Sequence, residues 1–225
     1  MTKTNFLSNW KLSEIIWMLI ATLTILGLSL YWGDNLIGII SAVTGVLCVI
    51  CTGKGSLWAY IWGAINCALY GYIALKANYL GEVMLNWIYY LPMQFYGFYV
   101  WKKHINPETQ EVQKRQMTIK GKLLLLFAIL GSTLIYGLIL KYLNGNLPFV
   151  DAFTTMSSVI AMIISIGRYS EQWWIWIFVN IFSVLLYVVD IMNGGNTYAT
   201  VLMWSIYLIN AIIMLHKWNK ETKEV

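Results

Sequence analysis

Eight apolar runs separated by short polar breaks dominate the chain. They cover residues 15–32, 36–51, 57–75, 83–101, 123–143, 152–166, 173–189 and 198–215. About 20 consecutive apolar residues cross a bilayer as a helix, so each run is read as a membrane span. The second and sixth are short, and short spans thin the bilayer or are shielded by neighbours. The breaks at 33–35 (GDN), 52–56 (TGKGS) and 76–79 (KANY) are tight, which favours antiparallel neighbours. The pattern predicts an all-α integral membrane protein with eight transmembrane helices.

Composition agrees. Of the 225 residues, 59% are hydrophobic and 11% charged, against about 25% charged in soluble domains. The 12 Trp and 15 Tyr are more than two interfacial belts need, so some are expected to line an interior. A net charge of +5 would suit nucleic acid, but the charges fall between apolar segments, and no nucleic-acid partner is expected. Their placement instead sets orientation. With a cytoplasmic N-terminus, 13 of the 15 basic residues lie inside, and only Lys76 and Lys141 lie outside. The positive-inside rule then predicts a multi-pass protein of the cytoplasmic membrane with both termini cytoplasmic. The first apolar run has no small-residue cleavage site, so it reads as a span and not as a signal peptide. Residues 102–122 form the longest polar stretch, read as a solvated basic linker against anionic lipid. Cys48, Cys51 and Cys67 lie within apolar runs and read as small packing residues, with no metal or redox role.

A repeat emerges at a shift of 114 residues. Ser41 and Thr44 fall on Thr155 and Ser158, Trp62 and Asn66 on Trp176 and Asn180, and Tyr90 on Trp204. The chain is therefore divided into an N-terminal extra helix (1–34), a first three-helix repeat (35–101), a cytoplasmic loop and linking helix (102–148), a second three-helix repeat (149–218) and a tail (219–225). One linking helix between the triplets makes them parallel, a 3+1+3 arrangement. Parallel repeats of this kind characterise a class of transporters that bind substrate between halves near mid-membrane.

The Trp-x-x-x-Asn pairs suggest what is bound. Residues i and i+4 share a helix face, so each pair presents a flat π surface beside an amide that can donate and accept. Pseudo-symmetry would set the two pairs facing one another across a cavity. The alternative is that Asn66 and Asn180 tie helices together. Other polar groups fall in the same helices: Asn86, Tyr89, Tyr90, Gln94 and Tyr96 in the fourth, Ser183 and Tyr187 in the seventh, and Trp204, Tyr207 and Asn210 in the eighth. Pro92 should bend the fourth helix by removing a backbone donor. No charged residue lies near the centre of a span, and no catalytic or metal-binding motif occurs, so no catalytic residue, metal ligand or cofactor is assigned. The ligand should be held by stacking and neutral hydrogen bonds. The absence of a deep ionisable group points to a passive carrier whose two triplets rock around the ligand.

The stretches WGAINCALYGY, PMQFYGFYVW and WIFVNIFSVLLY resemble those of the PnuC-type vitamin transporters. That family in turn resembles a fused pair of half-SWEET triplets. The resemblance runs from about residue 35 to 218 and is most specific in helices 3, 4 and 7. It implies nicotinamide riboside as the small-molecule substrate, uptake by facilitated diffusion for NAD biosynthesis, and a homotrimer in the lipid bilayer. By position it implies a pocket of Trp62, Asn66, Gln94, Trp176, Asn180 and Tyr187. Together with the residue-based reading, the candidate substrate-binding set is Trp62, Asn66, Asn86, Tyr90, Gln94, Trp176, Asn180, Ser183, Tyr187, Trp204 and Asn210. Thiamine, riboflavin or sugar transport remain alternatives; a membrane enzyme lacks the groups it would need.

Overall fold

The computed structural model describes residues 9–33, 35–76, 80–144, 147–194 and 198–222, without the side chains of Asp190, Tyr198 and Ala199. Lys3 and Lys223, both counted in the charge argument, lie outside the described residues, as does most of the 76–79 break. The described chain is helical. The helices are α1 (Leu12–Tyr31), α2 (Leu36–Lys54), α3 (Trp58–Lys76), α4 (Leu80–Val83), a π-helix (Met84–Tyr90), α5 (Leu91–Lys102), α6 (Ile119–Tyr142), α7 (Pro148–Ile166), α8 (Gln172–Met192) and α9 (Tyr198–Glu221). Since α4, the π-helix and α5 run on without a break, they form one helical stretch, and each of the eight apolar runs corresponds to one helical stretch.

Six described helices are long and apolar enough to cross a membrane: α1, α2, α6, α7, α8 and α9. Neither α3 nor the α4–π–α5 stretch is among them. In α3 the Trp, Tyr and Asn66 side chains lower the hydropathy, and the other stretch is interrupted by its π turns. These two least apolar segments hold every candidate binding residue of the N-terminal half.

The chain divides into two compact units, residues 1–113 and 114–225. In the first, α1 packs on α2, α2 on α3, and α3 on the π-helix and α5. In the second, α6 packs on α7, α7 on α8, and α8 on α9. The linking helix α6 thus belongs with the second unit, as α1 belongs with the first. Sequential neighbours pack because their connections are short.

Local chemistry sets the helix ends. At α2 the Asn35 Oδ1 accepts the Gly38 N–H at 2.9 Å, an N-cap bond. Its C-terminal turn closes through Ser56 N–H to Cys51 O at 3.0 Å, with Gly55 at φ +80°, a conformation that glycine adopts without a Cβ penalty. The matching turn after α7 closes through Tyr169 N–H to Ile164 O at 3.0 Å. There the left-handed residue is Arg168, φ +67°. The turn is therefore offset by 113 residues, one less than the sequence repeat, and Gly167 just before it keeps an ordinary helical φ of −67°.

Most residues of the polar stretch at 102–122 are exposed, as its composition suggested, and a few of them also bind the stretch to the helix ends. Val112 N–H donates to Gly55 O at 2.8 Å, which lays residue 112 on the turn that ends α2. Lys54, only 5% exposed at its side chain, pairs with Glu14 at 2.6 Å and Glu111 at 2.8 Å. It also donates to Asn9 O at 2.8 Å. In the second unit Arg115 N–H donates to Arg168 O, and Ser170 N–H to Arg115 O, at 2.8 and 2.9 Å. The Arg115 guanidinium lies 4.8 Å from the Tyr169 ring centre. Burial, and then the neighbouring Arg115 charge, push the Arg168 pKa below its ordinary value. Lys114 pairs with Glu221, and Lys122 with Glu171 at 3.1 Å. Carboxylates from the loop and the helix ends thus pair with Lys54, Lys114 and Lys122.

Candidate functional site

In the first unit the candidates Trp62 and Asn66 lie on α3. Ala59, Gly63, Cys67 and Gly71 are all buried and recur every four residues, so they form one stripe on the helix. The stretch from Met84 to Lys102 packs on α3. A Cβ at Gly63 would meet the Gln94 Oε1 at 2.5 Å and Nε2 at 2.9 Å, and one at Gly71 would collide with the Trp87 indole. Trp87 Nε1 donates to Ala68 O at 3.1 Å. Gln94 is 7% exposed, and its Nε2 approaches the Cys67 sulfur at 3.9 Å.

Pro92, expected to bend this helix, also bears on its hydrogen bonding. Lacking an N–H, it cannot donate to the carbonyl four residues back, and its ring crowds that carbonyl. The turns just before it widen to π geometry over Met84–Tyr90, and Leu91 N–H donates to Asn86 O, five residues back. Within one helix such π turns recur at functional sites. Here they carry two candidates. Asn86 is buried and donates back to Glu82, to its backbone O at 2.9 Å and to Oε2 at 3.4 Å. Tyr90 is half-buried, its ring 5.2 Å from that of Tyr89.

The two Trp-Asn pairs differ in their surroundings. Trp62 is half-buried and stacks on Trp58, ring centres 6.3 Å apart. Asn66 donates to Ser41 O at 2.8 Å and lies 3.4 Å from its hydroxyl, tying α3 to α2. In the second unit Ser41 is mirrored by Thr155, whose hydroxyl donates to Asp151 Oδ1 at 3.2 Å. Among the described residues no bond joins Asn180 to Thr155. Asn180 is nevertheless 3% exposed.

Trp176, Asn180, Ser183 and Tyr187 follow one another along a single face of α8. Ser183 is buried and Tyr187 half-buried. Trp176 and Trp204 pack against a core of Ala161, Ile164, Ile175 and Val179. The Trp204 Nε1 is buried and has no hydrogen-bond partner among the described residues. Its ring meets that of Tyr207 edge-on at 5.8 Å. Asn210, on α9, is 1% exposed. The second unit thus brings aromatic faces and neutral polar groups to α8 and α9. Among the described residues no group of three or more His, Cys, Asp or Glu side chains could hold a metal ion. Sequence reasoning did not single out Gly63, although the four-residue recurrence of small side chains along α3 is visible in the chain.

Comparison with known proteins follows the same outline. The sequence model of a family described as nicotinamide mononucleotide transporter matches residues 35–220. A nicotinamide riboside transporter PnuC of Neisseria mucosa is 34% identical over 98% of this chain and 86% of its own length. The protein of that name from Haemophilus influenzae is 32% identical over 98% of this chain and 96% of its own. A crystal structure of the vitamin B3 transporter PnuC superposes with a TM-score of 0.82 at 34% identity, covering 96% of this chain and 94% of that one. The all-helical fold, the six apolar membrane-length helices and the full-length similarity converge: the chain belongs to the nicotinamide mononucleotide transporter family, a family of membrane transporters and not of enzymes.

Proposed function

We propose that the protein takes up nicotinamide riboside across the cytoplasmic membrane by facilitated diffusion. The observation that carries this reading is the near full-length similarity to two nicotinamide riboside transporters at 34% and 32% identity. The candidate groups fit such a ligand. A pyridinium cation is attracted to Trp and Tyr faces by about 0.5–2 kcal/mol each, and ribose hydroxyls match the amides of Gln94 and Asn180.

The remaining parts of the proposal rest on the charge pattern and the family resemblance. Both termini are cytoplasmic, eight helices span, and the triplets form a parallel 3+1+3 repeat. The protein assembles as a homotrimer. Trp62, Asn66, Asn86, Tyr90, Gln94, Trp176, Asn180, Ser183, Tyr187, Trp204 and Asn210 contribute to substrate binding. A thermal-shift panel on the purified protein tests the substrate. Nicotinamide riboside should raise the unfolding midpoint, while thiamine, riboflavin and glucose should leave it unchanged at equal concentration. A shift with thiamine or riboflavin alone would reassign the substrate.

A further inference from the structure

We propose that Gly63 and Cys67 are positioning residues for the Gln94 amide, which they hold in a slot on α3 in the orientation that receives substrate. The proposal rests on the assignment of Gln94 to the binding site. Glutamine has three rotatable side-chain bonds, and a buried amide needs something to fix its plane and its donor–acceptor sense. Two contacts do this. The Gln94 amide lies so close to Gly63 that a Cβ there would come within 2.5–2.9 Å of its oxygen, carbon and nitrogen. One helical turn further on, Nε2 reaches the Cys67 sulfur at 3.9 Å. The glycine sets how close the amide plane lies to the helix, and the thiol marks the nitrogen end.

The choice of sulfur matters. A thiol is a weak acceptor, so the contact orients the amide without saturating it. Among the described residues this is the one hydrogen bond made by the Gln94 side chain. Its second N–H and its carbonyl oxygen remain available in a position 7% exposed. An amide buried in an apolar span without partners is costly, so a ligand that supplies a neutral donor and an acceptor is favoured there. The neighbouring members of the stripe act differently. Gly71 admits the Trp87 indole, whose Nε1 is already bonded to Ala68 O. The Gly63–Cys67 step is where the stripe meets an amide with spare capacity.

A double-mutant cycle tests this on the full-length protein in detergent, with nicotinamide riboside binding measured by calorimetry and the unfolding midpoint recorded without ligand. Gln94→Ala should weaken binding at least fivefold. Gly63→Ala should also weaken it at least fivefold, because the added methyl displaces the amide. The double variant G63A/Q94A should bind within twofold of Q94A, since no amide remains to be displaced. A merely structural glycine would give losses that multiply, and that result overturns the proposal, as does a G63A variant within twofold of the parent. Unchanged binding by Q94A would instead remove Gln94 from the site, and the proposal falls with that assignment. If G63A fails to fold, restoration of the Q94A midpoint in the double variant supports a clash confined to Gln94, and failure of the double variant to fold overturns it. Cys67→Ala gives a second reading: a loss of about threefold that disappears in the Q94A background supports the slot, and a loss that persists there overturns it.

Discussion

Asn66 and Asn180 occupy matching places in the repeat, yet one is engaged by Ser41 and the other is not engaged by the corresponding Thr155. Their substitution should therefore have different effects. Asn66→Ala removes a bond between α3 and α2 worth about 1 kcal/mol, so the unfolding midpoint without ligand should fall by about 2–4 °C. Asn180→Ala should leave that midpoint within a degree and weaken nicotinamide riboside binding about fivefold or more, the equivalent of about 1 kcal/mol. Calorimetry and thermal unfolding of both variants separate the two effects; an unchanged midpoint in N66A with a lowered one in N180A would reverse the assignment. The paired residues themselves were legible, because two identical four-residue spacings stand out in any reading of the chain. Their different bonds were not, since they depend on Ser41 and Asp151, each more than twenty positions away.

Helix positions were largely legible from hydropathy, and the structure departs by a few residues at most ends. Two features at this scale were not. One is the widening of the turns before Pro92, where Leu91 N–H reaches Asn86 O; a missing donor is visible in the sequence, but the bonding that replaces it is not. The ion pairs at the edges of the loop are the other, because counting charges says nothing about who pairs with whom. Lys54 closes that gap by joining Glu14 of α1 and Glu111 of the loop at the end of α2. Removing one partner of a buried ion pair while the others stay costs about 3 kcal/mol or more. Lys54→Met, which strands two carboxylates, should accordingly lower stability by about 3 kcal/mol. Glu14→Gln and Glu111→Gln each leave Lys54 one carboxylate and should destabilise less. Thermal unfolding in detergent ranks the three; equal loss in all of them would show that Lys54 does not act as the shared partner.

At the scale of the whole molecule, the all-helical membrane class was legible in the apolar runs, whereas the membership of α6 in the second unit was not, because hydropathy does not reveal which neighbour a helix prefers. Topology can be checked with single cysteines at Gln113 and Asn193 in a Cys-free background. An impermeant maleimide applied to intact cells should label position 193 and spare position 113; labelling at 113 would overturn the inner placement of the loop. In liposomes clamped at zero potential, free nicotinamide riboside should equilibrate and not accumulate, with or without proton or sodium gradients. Accumulation driven by either gradient would direct attention to Glu82, Asp151 and Asp190. The division between Gln113 and Lys114 carries a consequence of its own. The Lys54 ion pairs fall on one side of it, and the Lys114–Glu221 and Lys122–Glu171 pairs on the other. Two separately encoded polypeptides, 1–113 and 114–225, would each inherit four consecutive helical stretches and the charged clasp at one end of them. The gene should therefore tolerate being cut in two at this codon boundary, with co-expressed fragments restoring vitamin uptake in a strain that lacks it.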